Sequence, residues 1–338
     1  MCASGARALL LTVLALPLLA LVAGAEAPTL VGESGPFDVY RVGEGFYVAL
    51  IDDGFFDEVR GRFYLYWAGS PEEHSRLTES PFTPVVEDLG ASLGPGEEGA
   101  IGPYSREEDF DCRWGVAPDG RWWVRINGEK RYVSEPEASR ALRGLGVEAS
   151  AFSVGRLVVF DRQNGVITER LDTVAKVYVH GPRDALLDPR LGEAVREAVL
   201  RDCGVPVNVV VAVEEAWSLK KWALREETYE RISTAWDRLG LPLYGVGGML
   251  GFPLLVGVDG LEMRSRGVTL DWVLSVLDRE IPPGLAVLVV VRDYKPTEGS
   301  LLPGQAGGSG VGPEAGVAAA ALAVAVAAAL VAFKRRRT

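Results

Sequence analysis

Pro206-Val207-Asn208-Val209-Val210-Val211-Ala212-Val213 carries no charge and a single amide side chain. A strand with one wet face alternates apolar and polar residues. A run this uniformly apolar and β-branched predicts a strand covered on both faces. Just upstream, Asp188-Pro189 opens a helix, with Asp as the N-cap and Pro at the first helical position. Leu191, Val195, Ala198 and Val199 form its apolar stripe, and Gly204 supplies its C-terminal stop. Before that helix, residues 174–179 read as a strand.

Downstream, residues 218–239 predict the longest helix, with Leu219, Trp222, Tyr229, Ile232, Trp236 and Leu239 on its inner side. Residues 251–258 read as another buried strand. Thr269 caps a helix that turns Leu270, Val273, Leu274 and Leu277 inward, and residues 285–291 form the last strand. Strand alternating with helix in this way predicts an α/β part over residues 173–295, βαβαβαβ in order, doubly wound or ferredoxin-like. The pattern fits either arrangement.

Residues 28–172 have a different texture and predict a β-rich part. Residues 45–51 and 62–67 are aromatic and β-branched runs separated by the turn Asp52-Asp53-Gly54. Asn127-Gly128 lies between runs at 121–126 and 130–133, and Asn164-Gly165 between runs at 157–161 and 166–171; both are hairpin signals. Residues 70–110, rich in Pro, Gly and acid, read as a surface excursion, and 135–145 as a short helix. The first half is thus expected to form an antiparallel sheet or small sandwich, giving an α+β ectodomain overall. No internal repeat shows at a solenoid or propeller period.

Both flanks of this region point to a membrane. Residues 315–333 carry no charge and no Pro, and nineteen helical residues reach about 28 Å, one hydrocarbon core. Lys334, Arg335, Arg336 and Arg337 follow and favour the cytoplasmic side. Arg7, an apolar run and small-x-small patterns ending at Ala25 and Ala27 read as a secretory signal peptide over residues 1–27. The expected layout is signal peptide, ectodomain, Gly- and Pro-rich stalk (296–314), transmembrane helix (315–333) and basic tail (334–338). An uncleaved signal anchor, or a C-terminal segment removed in processing, are the alternatives.

The chain has net charge −11, and residues 28–295 alone hold 43 acids against 30 bases, near −13. Nucleic acids and anionic head groups need a basic face, so neither is an expected partner. Asn and Gln together number five, which fits a heat-adapted source, and Arg outnumbers Lys 29 to 6, an excess that high genomic GC content alone also explains. Cys112 and Cys203 are the cysteines left after signal removal. In an oxidising exterior they are candidates for one disulfide, although Cys203 also suits a buried free thiol on an apolar helix face.

The candidate chemistry sits where the buried strands end: His180, then Glu214 and Glu215, then Asp259, then Asp293. In a parallel sheet such ends share one edge. Converged there, the five could serve a metal-assisted hydrolase, with Glu214, Asp259 and Asp293 holding a divalent cation and His180 in acid–base work. In a mixed sheet they scatter, and become ordinary polar strand ends.

Other motifs are weaker. Gly245-Val246-Gly247-Gly248-Met249-Leu250-Gly251 superficially resembles a dinucleotide loop, but runs into a strand instead of a helix and reads as a mobile apolar turn. Glu107, Glu108, Asp109 and Asp111 lack EF-hand spacing and read as a solvated acidic loop. Trp67, Trp114, Trp122 and Trp123 read mainly as core, with Trp122 and Trp123 on opposite faces of a strand. His74 lies in the polar excursion without a ligand partner at helical spacing. With two His in all, zinc and His-based nucleophilic schemes have little to work with. The expected function is therefore a non-enzymatic binding or envelope-interaction ectodomain for an extracellular protein or small ligand, needing no cofactor. The metal-assisted hydrolase is the alternative.

Overall fold

The computed structural model describes residues 27–77, 97–102, 112–117, 119–161, 166–217, 224–249 and 251–295. The expected signal peptide up to residue 26, the stalk, the transmembrane helix, the basic tail, the acidic run at 107–111 and the Asn164-Gly165 turn lie outside these residues. No helix among the described residues is long and apolar enough to cross a membrane. The chain is mixed α/β, with two large β-sheets and few helices.

In chain order the elements begin with β1 (Thr29–Ser34), β2 (Phe37–Gly43), β3 (Phe46–Ile51), β4 (Glu58–Arg60), β5 (Phe63–Ala68), α1 (Pro71–Arg76) and β6 (Glu97–Gly102). Then come β7 (Cys112–Val116), β8 (Trp122–Ile126), β9 (Glu129–Val133), α2 (Glu137–Gly144), β10 (Glu148–Asp161), β11 (Val166–His180), α3 (Arg183–Leu186) and α4 (Pro189–Cys203). The chain continues through β12 (Val209–Glu214), α5 (Leu224–Leu239), β13 (Leu243–Met249), β14 (Phe252–Asp259), α6 (Gly260–Ser265), α7 (Leu270–Glu280) and β15 (Val287–Arg292).

The large sheet runs β1-β2-β3-β12-β11-β10-β7-β8-β9, with β6 also on β10; the small sheet runs β13-β14-β15-β5-β4. Side chains alternate between faces along a strand, and the cores follow that period. In β12, Val209, Val211 and Val213 join β2, β3 and the small sheet's Tyr66, Leu288 and Val290 in one core between the sheets. Val210 and Ala212 face the opposite way, onto Leu191, Val195 and Val199 of α4. In β15, Val287, Val289 and Val291 point to α5 and α7, which contribute Ile232, Val273 and Leu277. The order of layers is helices, large sheet, small sheet, helices. Both faces of β12, β14 and β15 are covered, as their apolar runs require.

The expected split at residue 172 is not a spatial division. Residue 172 falls inside β11, which runs from Val166 to His180 as the antiparallel partner of β10, with a register shift between the pairs Arg156–Thr173 and Val158–Arg170. The runs at 166–171 and 174–179 both suit a strand, and the polar Asp172-Thr173 between them sits at the register shift without ending it. β3 and β5, expected in an antiparallel first half, pair antiparallel with β2 and β4 on one edge and lie parallel to β12 and β15 on the other. The doubly wound or ferredoxin-like single sheet is corrected as well: β11 and β12 belong to one sheet, β14 and β15 to the other.

The two sheets share a common plan. In the large sheet the hairpins β2–β3 and β10–β11 flank β12, which lies parallel to β3 and β11. In the small sheet the hairpins β4–β5 and β13–β14 flank β15, parallel to β5 and β14. Each central strand arrives last, after a short helix and a longer one: α3 and α4 before β12, α6 and α7 before β15. The two copies are interleaved in the chain, first hairpin, first hairpin, remainder, remainder, so a search at fixed period does not find them. The strands β1 and β6 to β9 are additions to the large sheet.

Local signals read from the sequence hold at several places. Asn127 (φ 49°) and Gly128 (φ 87°) make the β8–β9 turn. Asp188 accepts the Arg190 N–H (2.9 Å) to cap α4, and Gly204 ends it at φ 72°. Thr269 caps α7 through the Trp272 N–H (3.2 Å). Two readings differ. In α5, Tyr229 and Leu239 are exposed, and the buried stripe is Thr228, Ile232 and Ala235, with Trp236 partly covered. The expected mobile turn at 245–251 is strand β13 up to Met249, followed by Gly251 in a left-handed turn (φ 78°) before β14.

Candidate functional site

The five predicted strand-end residues fall into two groups. Glu214 ends β12 and points to the helix side. Its Oε2 accepts the Ile51 N–H at 2.7 Å and stands 3.8 Å from Arg183 on α3. Arg183 also bonds the Ile51 carbonyl. Burial pushes the Glu214 carboxyl above its ordinary range; the Ile51 N–H and Arg183 oppose this without cancelling it, and Asp53 adds to it. His180 Nδ1 lies 2.9 Å from the Glu215 carbonyl, and Glu215 is itself buried. Nearby, burial and then Asp52 raise the Asp38 carboxyl.

At the end of the small sheet, Asp259 caps α6 by accepting the Glu262 N–H (2.9 Å) and takes a second bond from Arg292 (2.7 Å). Burial works to raise its pKa, but these two partners together hold it below the ordinary carboxylate value. Asp293 pairs with Arg264 of α6, both oxygens 2.8 Å from one guanidinium nitrogen. Gly260 permits this approach, since a Cβ there would lie 2.0 Å from the Asp293 carboxylate. Both sheets therefore carry the same clasp. An acid after or at the end of the central strand is paired to an Arg on the short helix, Glu214 to Arg183 and Asp293 to Arg264.

The two groups occupy opposite ends of the sandwich. The Ala216 N–H donates to the Gly251 carbonyl (2.8 Å), so β12 ends where β14 begins. Asp259 lies seven residues further along β14, about 23 Å at strand rise. The expected convergence of His180, Glu214, Glu215, Asp259 and Asp293 on one edge does not occur. The sheet that would have gathered them is two sheets with opposed parallel strands. Among the described residues, no three His, Cys, Asp or Glu side chains come together as a group that could hold a metal ion.

A network that sequence reasoning missed lies beside Asp259. His74 of α1 places Nε2 3.0 Å from the Tyr244 hydroxyl of β13 and meets the Tyr244 and Tyr294 rings edge-on. The Arg292 guanidinium lies 4.2 Å over the Tyr244 ring while bonded to Asp259. Burial drives the Tyr244 hydroxyl well above the ordinary phenol range, with Arg292 opposing. Burial and then Arg292 hold the His74 imidazole below its usual value. Both groups are thus kept neutral near pH 7. The legible signal was Gly257, alone inside an apolar strand, where a backbone or ring approaches closely. A Cβ there would lie 2.5 Å from the Tyr244 ring.

The remaining candidates have structural roles. Trp114 is buried, stacked on Phe152 and edge-on to Trp122, whereas Trp123 lies on the other face across Gly115 under Lys130. Trp67 is partly exposed at 36 %. A cleft of about 620 Å³ is lined by Arg60, Arg62, Arg231, Arg279 and Asp278. Arg62 and Arg231 there donate to the carbonyls of Asp278 and Arg279 in the last turn of α7, and Arg62 also to that of Pro282 just beyond it. Cys112 of β7 and Cys203 at the end of α4 are joined by a disulfide within the helix-side core of the large sheet. Comparison with protein-family models, curated proteins and solved structures gives no match, so the site is read from its own chemistry.

Proposed function

We propose that this chain is an exported ectodomain, held at the outer cell surface by a single transmembrane helix over residues 315–333, that acts by binding a protein or small ligand and not by catalysis. The observation that carries the binding reading is the engagement of the strand-end acids. Glu214, Asp259 and Asp293 each serve a cap or an ion pair, at opposite ends of the sandwich. Acid–base or metal chemistry needs such groups within reach of one reacting atom. Export is supported separately by the Cys112–Cys203 bridge, since disulfides persist in oxidising compartments and are rare in reducing ones.

The test is protease treatment of intact cells producing the full chain, with thiol counting on the released fragment. The expected fragment is accessible from outside and has no free thiol at Cys112 or Cys203. A chain protected until lysis, or one with both thiols free, overturns the export reading. A divalent-cation thermal-shift screen tests the other half. A rise in melting temperature with one cation, abolished by Glu214→Gln or by Asp259→Asn, favours the hydrolase.

A further inference from the structure

We infer that α1 is an acid-released latch on the strand-end edge of the small sheet, held by the uncharged His74 ring against Tyr244 and Tyr294 and freed when that ring gains a proton. Six residues form α1, too few for a helix to persist without tertiary contacts. Three of its further hydrogen bonds are local. Ser70 accepts the Glu73 N–H (3.2 Å), the Glu73 carboxylate accepts the Gly69 N–H (2.6 Å), and the Tyr66 hydroxyl donates to the Glu73 carbonyl (2.8 Å). The bond from His74 to Tyr244 spans 170 positions and ties α1 to β13 across the sheet.

The groups around His74 decide the direction. On α1 itself stand Glu72, Glu73 and Arg76; from β5 comes Tyr66, from β13 Tyr244, from β14 Asp259, and from β15 and the residues after it Arg292 and Tyr294. Burial does most to disfavour a charged imidazole there, and the Arg292 guanidinium, though bonded to Asp259, adds repulsion of a second cation. The neighbouring phenols are themselves kept neutral by burial. The closed latch therefore binds the proton less well than a solvated His does. Its hold is complete above about pH 6.5, the unperturbed His value, and weakens as pH falls below it. Among the described residues, opening of α1 alone breaks few contacts, so it is expected to precede global unfolding. It uncovers Tyr244, Tyr294 and Arg292.

The experiment follows the two His imidazole signals and amide exchange over residues 70–77 in the full chain between pH 7.5 and 4.5. The expected result is a His74 midpoint below that of free imidazole. Corrected α1 exchange should rise with acid by up to about tenfold per pH unit, the limit for one linked proton. His74→Phe keeps a ring and should remove the acid response. Should that variant fail to fold, Tyr244→Phe keeps the core ring, loses the hydroxyl partner and should loosen α1 already at pH 7.5. A His74 midpoint at or above 6.5, an α1 indifferent to pH in the wild type, or an unchanged acid response in His74→Phe overturns the latch.

Discussion

Leu288→Ala tests whether the two sheets form one cooperative unit. Leu288 is in β15, at the centre of the small sheet, fully buried in the core between the sheets. Truncating a buried Leu to Ala costs roughly 2–5 kcal/mol, the upper values where the cavity cannot collapse. Leu288 packs between two sheets pinned by their own ladders, so about 3 kcal/mol is the expected loss. If the sheets unfold together, amides of β11 and β12 in the large sheet that exchange only by global unfolding must lose the same amount. Their exchange should accelerate by roughly 150-fold, matching β14 and β15 of the mutated sheet. Native-state hydrogen exchange on residues 28–295 reads both sheets in one experiment. Acceleration confined to β13, β14 and β15, with β11 and β12 unchanged, would refute the shared core.

Gly192→Ala sets two effects against each other. Ala favours a helix by about 1 kcal/mol over Gly, but the new Cβ would meet Phe46 atoms at 2.5–2.9 Å. Phe46 is buried in β3, between two paired strands, and cannot retreat. Overpacking of about 1–3 kcal/mol should win, and a urea midpoint above wild type would contradict that ranking. For Glu214, a folded pKa above the unfolded 4.5 means the native state holds the proton more tightly. That stabilisation is fully present below pH 4.5 and is lost as pH rises through the folded value. The stability of wild type relative to Glu214→Gln, which keeps an acceptor for the Ile51 N–H, should therefore fall between pH 4 and 7 in melting experiments. A rise over that range would mean that the Ile51 N–H and Arg183 together outweigh burial.

Local chemistry was legible in the sequence because it is written in neighbouring residues. Asp188-Pro189 with Gly204 bounded α4, Asn127-Gly128 marked its hairpin, and the Val-rich 206–213 run announced a strand with two dry faces. Which strands pair was not legible. β3 is separated from β12 by the whole of the small sheet's first hairpin and the β6–β11 region, and nothing in Phe46-Tyr47-Val48 names Val210-Val211-Ala212 as its partner. A hydrophobic pattern specifies which face is buried and is silent on what buries it. The same gap misplaced the strand-end residues, whose meeting depended on one sheet. His74 reads as a residue of a polar excursion with no partner at helical spacing because its partner, Tyr244, is remote in the chain.

The late arrival of the central strands bears on how this chain is born. β3 leaves the ribosome with one edge unpaired and waits for β12, whose first residue is 158 positions beyond Ile51. At 5–20 residues per second that interval is roughly 8 to 30 s, and β5 waits longer still for β15. Neither sheet can close until most of the sequence has been made. Throughout that time β3 and β5 present apolar, unsatisfied edges of the kind that recruit stray strands. A nascent chain with this wiring calls for a holding chaperone, and its yield should depend more on that help than on the stability of the finished fold.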